Sequence, residues 1–276
     1  MNHISLAYLT VFGLAPPDHV TFAAKAGYTA VGLRLVPALP EEAQFPMTVE
    51  SQMLRETQLR LNDTGLAVLD VENVKLNKFT DPASLAPVFD AMGQLGATKV
   101  LVTSDAVDES LNIERLSALC EFGRKYELDF HLEFMPWTLG VASLEQAERI
   151  VVAAGAPNAH LMIDAIHYDR SGATLEKLAA LTPSRYQYIQ LCDAPRIAPQ
   201  TDEGILHQGR FERQFPGEGG LDLFGLMTTL PAGIPISVEA PRRALLEEVG
   251  YEEIARRSFV ATRKWQDEFL ETTGAN

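Results

Sequence analysis

Eight short runs of apolar or alternating residues recur along the chain at nearly even intervals. That rhythm limits the fold more than any other feature. The runs are Ile4–Leu9, Ala30–Leu35, Leu66–Glu72, Lys99–Ser104, Asp129–Phe134, His160–Ile166, Tyr188–Asp193 and Ile236–Ala240. Their starts lie 26 to 48 residues apart, enough for one strand, one crossover helix and two loops. The segments between them carry helix punctuation. Asp18–Ala26 stops at Gly27, Thr48–Thr64 at Gly65 and Pro82–Leu95 at Gly96. Leu111–Tyr126 is long and amphipathic. Ser143–Ala154 opens on a Ser-x-x-Gln box (Ser143, Gln146) and stops at Gly155, and Tyr251–Leu270 forms a last long helix. A polar residue at the start and a glycine just past the end are ordinary helix boundaries.

Eight strands alternating with eight helices predict an α/β fold, a single (β/α)8 TIM barrel over residues 1–276. The rival is an open doubly wound sheet, but no Gly-x-Gly-x-x-Gly follows the first strand. No linker or composition shift divides the chain. The longest connection, Ala194–Gly220, is expected to fold over the mouth of the site.

Composition narrows the function. Lys plus Arg is 23 against 37 for Asp plus Glu, a formal charge of −14. That disfavours a nucleic-acid footprint, which depends on clustered cations. It also weighs against a DNA-repair nuclease, as does the small number of histidines, six in all. Cys120 and Cys192 do not make a disulfide framework for a chain of this size. No stretch of about 18 apolar residues suggests a membrane span. No basic segment leads into an apolar one at the N-terminus, so a cytoplasmic location is expected.

Side chains alternate along a strand, and the rule sorts the candidate site. In Asp129–Phe134 the residues Phe130, Leu132 and Phe134 share one face, which turns Glu133 to the barrel axis. The same reasoning turns Arg34, Asp70, Glu72, Asp164, Gln190 and Glu239 inward. Most of these sit near the C-terminal ends of their strands, where barrel enzymes build their sites. Several carboxylates buried together are costly without a cation. Glu133, Asp164, Gln190 and Glu239 form an all-oxygen set suited to one divalent metal ion, Mg2+ or Mn2+ ahead of Zn2+ or Co2+.

The segments HLEFMPW (131–137), LMIDAIHYDRSG (161–172), YIQLCDAP (188–195), GRFERQFPGEGGLDL (209–223) and ISVEAP (236–241) resemble the xylose isomerase-like TIM barrel superfamily of sugar (phosphate) isomerases and epimerases. The likeness lies in the second half of the chain. It implies one divalent metal held by Glu133, Asp164, Gln190 and Glu239. Gln190 departs from the pattern, since most members place His there. A 3-dehydroshikimate dehydratase branch carries Gln at that point, within a similar run.

A metal on adjacent carbonyl and hydroxyl oxygens would stabilise the charge that develops on deprotonating the intervening carbon. Glu133 and Glu239 would then act as acid and base. Return of the proton gives isomerisation or epimerisation of a small polyhydroxy carbonyl compound, the first expectation. Loss of a β-hydroxyl gives dehydration, as for 3-dehydroshikimate or an inosose, the alternative. A sugar-binding barrel without catalysis would not need two such carboxylates. His167 is a candidate proton shuttle. Arg210, Trp137, Glu72 and Arg34 are candidate substrate contacts, with Arg34 and Glu72 also able to pair. Arg213 is equally a solvated loop charge or a substrate contact. His131 is read as a partner behind the ligands, and Asp193 as a residue that orients Gln190 or reaches the metal through water. Asp222 is read as a helix cap and Cys192 as a packed thiol. The chain is expected to associate with itself, with no interface assigned.

Overall fold

A computed structural model of the protein describes residues 3–38 and 42–274. Eight parallel strands close into one barrel in chain order. They are β1 (Ile4–Leu6), β2 (Ala30–Arg34), β3 (Ala67–Leu76), β4 (Lys99–Ser104), β5 (Asp129–Glu133), β6 (Ala159–Asp164), β7 (Ile189–Leu191) and β8 (Ile236–Val238). β1 pairs with β8, so no edge remains. The helices are α1 (Pro16–Ala26), α2 (Gln52–Thr64), α3 (Ala86–Leu95), α4 (Glu109–Gly123), α5 (Leu144–Ala154), α6 (Ala165–Arg170), α7 (Leu175–Ala179), α8 (Asp202–Phe211), α9 (Leu223–Thr229), α10 (Arg243–Val249) and α11 (Tyr251–Thr273).

The strand alternation produces two different layers. Outward residues such as Val31, Leu33, Phe130, Leu132, Ile163 and Ile189 join the helices in the main apolar core. Inward ones are largely polar and still buried: Ser5, Asp70, His131, Gln190 and Ser237. A second, small apolar cluster of Leu101, Met162 and Tyr188, with Leu69 beside them, is separate from the main core. Fully buried aromatic rings anchor the outer layer. Phe89, for example, meets Phe130 and Tyr126 edge-on at centroid distances of 6.0 and 5.4 Å.

Several boundaries differ from the sequence reading. β3 runs to Leu76, four residues past Glu72. β6 ends at Asp164, because the Asp164 carboxylate accepts from the Ile166 and His167 backbone N–H groups and starts α6 there. Ile166 and His167 are therefore helical. Ser143 Oγ caps α5 by accepting from Gln146 N, but the Gln146 side chain accepts from Ala142 N, one residue short of a closed box. The connection read as a long loop after β7 contains α8, capped by Thr201.

Candidate active site

Strand register explains why the polar residues meet. Arg34 on β2 is opposite Glu72 on β3, and Asp164 on β6 is opposite Gln190 on β7. Their carboxyl-end positions open into a cavity of about 700 Å3 lined by Arg34, Glu72, Glu133, His167, Arg213 and Glu239. Trp137, Arg210 and residues of α8 line it further out. The connection after β7 thus covers the mouth as the sequence suggests, with a helix as its working part.

The second-half cluster is built around Arg213. This side chain is 2% exposed. Its Nη1 donates to Asp164 Oδ2 at 2.6 Å and to the Glu239 carbonyl at 3.0 Å, and lies 3.0 Å from Glu239 Oε2. Its Nε donates to the Gly209 carbonyl at 2.7 Å. Gly209 belongs here for a second reason, since a Cβ at that position would lie 2.6 Å from the Trp137 ring. Trp137 in turn sits edge-on to His167, with ring centroids 4.6 Å apart. Of the two open readings of Arg213, neither the solvated charge nor a free substrate contact describes it. It is a buried counter-ion to two of the expected metal ligands.

Glu133 Oε1 lies 3.5 Å from His167 Nε2. Glu133, Asp164 and His167 each bring one ligand atom within 4.8 Å of the others, a group that could hold a metal ion. Gln190 Nε2 donates to Glu239 Oε1 at 3.0 Å. The Gln190 Oε1 atom is buried and has no hydrogen-bond partner among the described residues, so an oxygen donor remains for a cation. Three buried carboxylates against one guanidinium, with a spare amide oxygen among them, fit a divalent ion.

The charges confirm the crowding. Burial, then the charge of Asp164, pushes the Glu133 carboxyl well above its ordinary range. Burial also pushes Glu239 up, against the pull of Arg213. Asp164 is pushed up by burial, but Arg213, the facing His167 and the capping N–H more than offset this and hold it low. His167 is pulled down to about 4, chiefly by burial, and is neutral at pH 7.

The remaining candidates fall into place around this core. Arg34 donates to Glu72 at 2.8 Å and to Glu42 at 3.1 Å, with its guanidinium 4.9 Å from the Tyr8 ring centroid. The pairing of Arg34 with Glu72 is therefore present, and Glu42, which the sequence reading passed over, completes it. Asp193 does not orient Gln190. Its two oxygens accept from the backbone N–H groups of Ala194, Gly217, Gly219 and Leu221 and pin the Pro-Gly turn that returns from α8. Asp222 caps α9 by accepting from Gly225 N. His131 is fully buried, stacked on His160 and edge-on to Tyr188, with neither ring nitrogen hydrogen-bonded among the described residues. The Cys192 thiol is buried 3.7 Å from Arg213, and burial pushes its pKa up.

A family described as xylose isomerase-like TIM barrel matches residues 20–264. A 3-dehydroshikimate dehydratase of Pseudomonas aeruginosa is 31% identical over 159 residues, 55% of this chain and 24% of that protein. The chain thus spans about a quarter of the length of that curated relative. Among solved structures, a xylose isomerase-like TIM barrel/4-hydroxyphenylpyruvate dioxygenase fusion protein superposes with a TM-score of 0.78 at 20% identity, over 99% of this chain and 44% of the other. The IolI protein with a bound zinc atom superposes with a TM-score of 0.77 at 18% identity, over 99% of both chains. These two likenesses concern the fold.

Proposed function

Because the chain belongs to the xylose isomerase-like TIM barrel family, we propose that it is a divalent-metal-dependent enzyme that removes a proton from the carbon beside a carbonyl in a small polyhydroxylated substrate. The observation that supports this reading is that Glu133, His167, Glu239 and Arg213 line one cavity, with Asp164 beside Glu133 and His167 and Gln190 bonded to Glu239, so that more carboxylates are buried than the single guanidinium of Arg213 balances. Glu133, Asp164, Gln190 and Glu239 would hold the ion, with His167 at its edge. The ion, when bound, would polarise the substrate carbonyl and lower the cost of the developing negative charge. Mg2+ or Mn2+ suits the oxygen set, and Zn2+ would use His167.

The chain's own residues supply the rest. Glu133 and Glu239 enter from β5 and β8 and would exchange protons with the substrate carbon and oxygen. His167, neutral and held by Trp137, would accept or return a proton from a hydroxyl. Trp137 and α8 exclude water over the reacting atoms. Elimination of a β-hydroxyl, as in 3-dehydroshikimate dehydration, becomes the first reading of the outcome. It is supported by the curated relative, a 3-dehydroshikimate dehydratase, and by the resemblance of the run around Gln190 to that branch. Isomerisation or epimerisation is the second, favoured by two carboxylates entering one cavity from different strands. The test incubates the protein and Mn2+ with 3-dehydroshikimate and follows the absorbance of an aromatic product, alongside uptake of solvent deuterium by a panel of ketoses. Absorbance growth supports elimination, and deuterium uptake alone supports proton return. Neither signal at any metal concentration overturns the function.

A further inference from the structure

Besides the carboxylates, the cavity wall holds a second charged region, which includes Arg210, the candidate substrate contact from the sequence, and Arg243, which the sequence reading did not single out. Arg210 on α8 and Arg243 at the start of α10 both line it. Neither forms an ion pair or a side-chain hydrogen bond among the described residues. The other cations of the cavity wall are all neutralised: Arg34 by Glu42 and Glu72, Arg213 by Asp164 and Glu239, and Lys75 by Asp105 at 2.9 Å. In a chain of net charge −14, two unpaired guanidinium groups in one wall are the exception.

Arg243 is also held in place. Its guanidinium carbon lies 4.4 Å from the Phe12 ring centroid and 5.7 Å from that of Phe211. Stacking on an aromatic ring uses the face of a guanidinium and leaves its in-plane N–H donors uncommitted. Arg210, Phe211 and Arg243 all line the same cavity. A planar fork fixed by rings, in a cavity that a second unpaired cation also lines, suits bidentate recognition of an oxyanion. The surrounding acidic chain would repel an anionic substrate, and local cations offset that repulsion at the mouth.

We propose that Arg210 and Arg243 form an oxyanion subsite that receives a carboxylate or phosphate carried by the substrate, and that they select an acidic polyhydroxy carbonyl compound over a neutral sugar. The inference rests on the reading of this cavity as the active site. It assigns the charged end of the substrate to α8 and α10 and the reacting end to the strands. The volume of about 700 Å3 leaves room for both ends.

The test measures binding by calorimetry for two matched pairs, shikimate against its methyl ester and glucose 6-phosphate against glucose. It uses the Mn2+-loaded protein and the variants Arg243→Gln, Arg210→Gln and, as a control away from the cavity, Arg149→Gln on α5, an exposed arginine paired with Glu109. At least one anion should bind tenfold or more tightly than its neutral partner, and the pair that shows it tells carboxylate from phosphate. The ratio should fall towards one in Arg243→Gln and Arg210→Gln and persist in Arg149→Gln. Mn2+ affinity is measured in parallel and should be unchanged in both arginine variants. Failure of Mn2+ to bind the wild-type protein would sink the metal-dependent reading, independently of the anion ratio. Ratios near one in both pairs, no binding of either anion, or an unchanged ratio in both arginine variants overturns the subsite.

Discussion

The two halves of the barrel each bury one arginine between acidic groups, and they do so to different ends. In the first half Arg34 divides its two Nη atoms between Glu42 and Glu72. The nearby Asp70 is pushed up to about 8 by burial and by Glu72, so it is mostly uncharged at pH 7. In the second half Arg213 presents a single Nη1 to both Asp164 and Glu239, while Glu133 stands beside them without a cation of its own. By formal charge Arg34 meets two carboxylates, Glu42 and Glu72, whereas Arg213 stands among three, Asp164, Glu239 and Glu133, so the surplus is larger on the second side. A surplus of buried negative charge is what a structural ion pair avoids and what a metal site needs. The difference is consistent with the proposal that the β5–β8 side holds the ion and the substrate.

The largest expected effect breaks the second half. Glu239→Gln or Glu133→Gln should lower turnover about 100- to 10,000-fold by removing an acid–base group, measured as initial rates on whichever substrate responds. Either variant at wild-type rate would contradict the assignment. Next, Arg213→Met and Arg34→Met should each cost about 3–5 kcal/mol of stability in the metal-free protein, because a buried partner is left uncompensated. Urea unfolding with and without Mn2+ then separates the halves. Mn2+ should restore a large part of the loss in Arg213→Met and none beyond the wild-type gain in Arg34→Met. Equal responses would remove the distinction.

A smaller effect concerns Asp70. Its folded pKa is raised, so its contribution to stability is full below the unfolded value near 4 and is lost as pH rises through about 8. Asp70→Asn should therefore flatten the fall in stability between pH 5 and pH 8, read from urea midpoints. A slope identical to wild type would show that Asp70 is already charged. Smallest is Ser143→Ala, far from either arginine, which removes the α5 cap and should cost about 1 kcal/mol with no change in metal response.

Much of this was legible because strand alternation is local. Glu133 is sorted from Leu132 and Phe134 by period alone, and so are Gln190 and Glu239. The barrel follows from the spacing of the eight runs. The contacts that decide charge balance are not local. Arg213 lies 49 residues from Asp164, in a segment whose helix α8 was hidden among Pro, Gly and charged residues. Glu42 reaches Arg34 from a loop without periodicity, and Arg243 shows its stacking on Phe12 only once β1 and β8 close the ring. Asp193 was misread for a related reason: its three-residue spacing from Gln190 suggested a shared ligand shell, whereas its oxygens are consumed by the turn at Gly217–Leu221.

The most direct measurement is the anomalous scattering of Mn2+-soaked crystals at the manganese edge. One peak per chain should appear within coordination distance of Glu133, Asp164, Gln190 and Glu239, with the Arg213 Nη1 displaced from between Asp164 and Glu239. Absence of a peak, or a peak only elsewhere on the molecule with Arg213 still bridging the two carboxylates, would contradict the account.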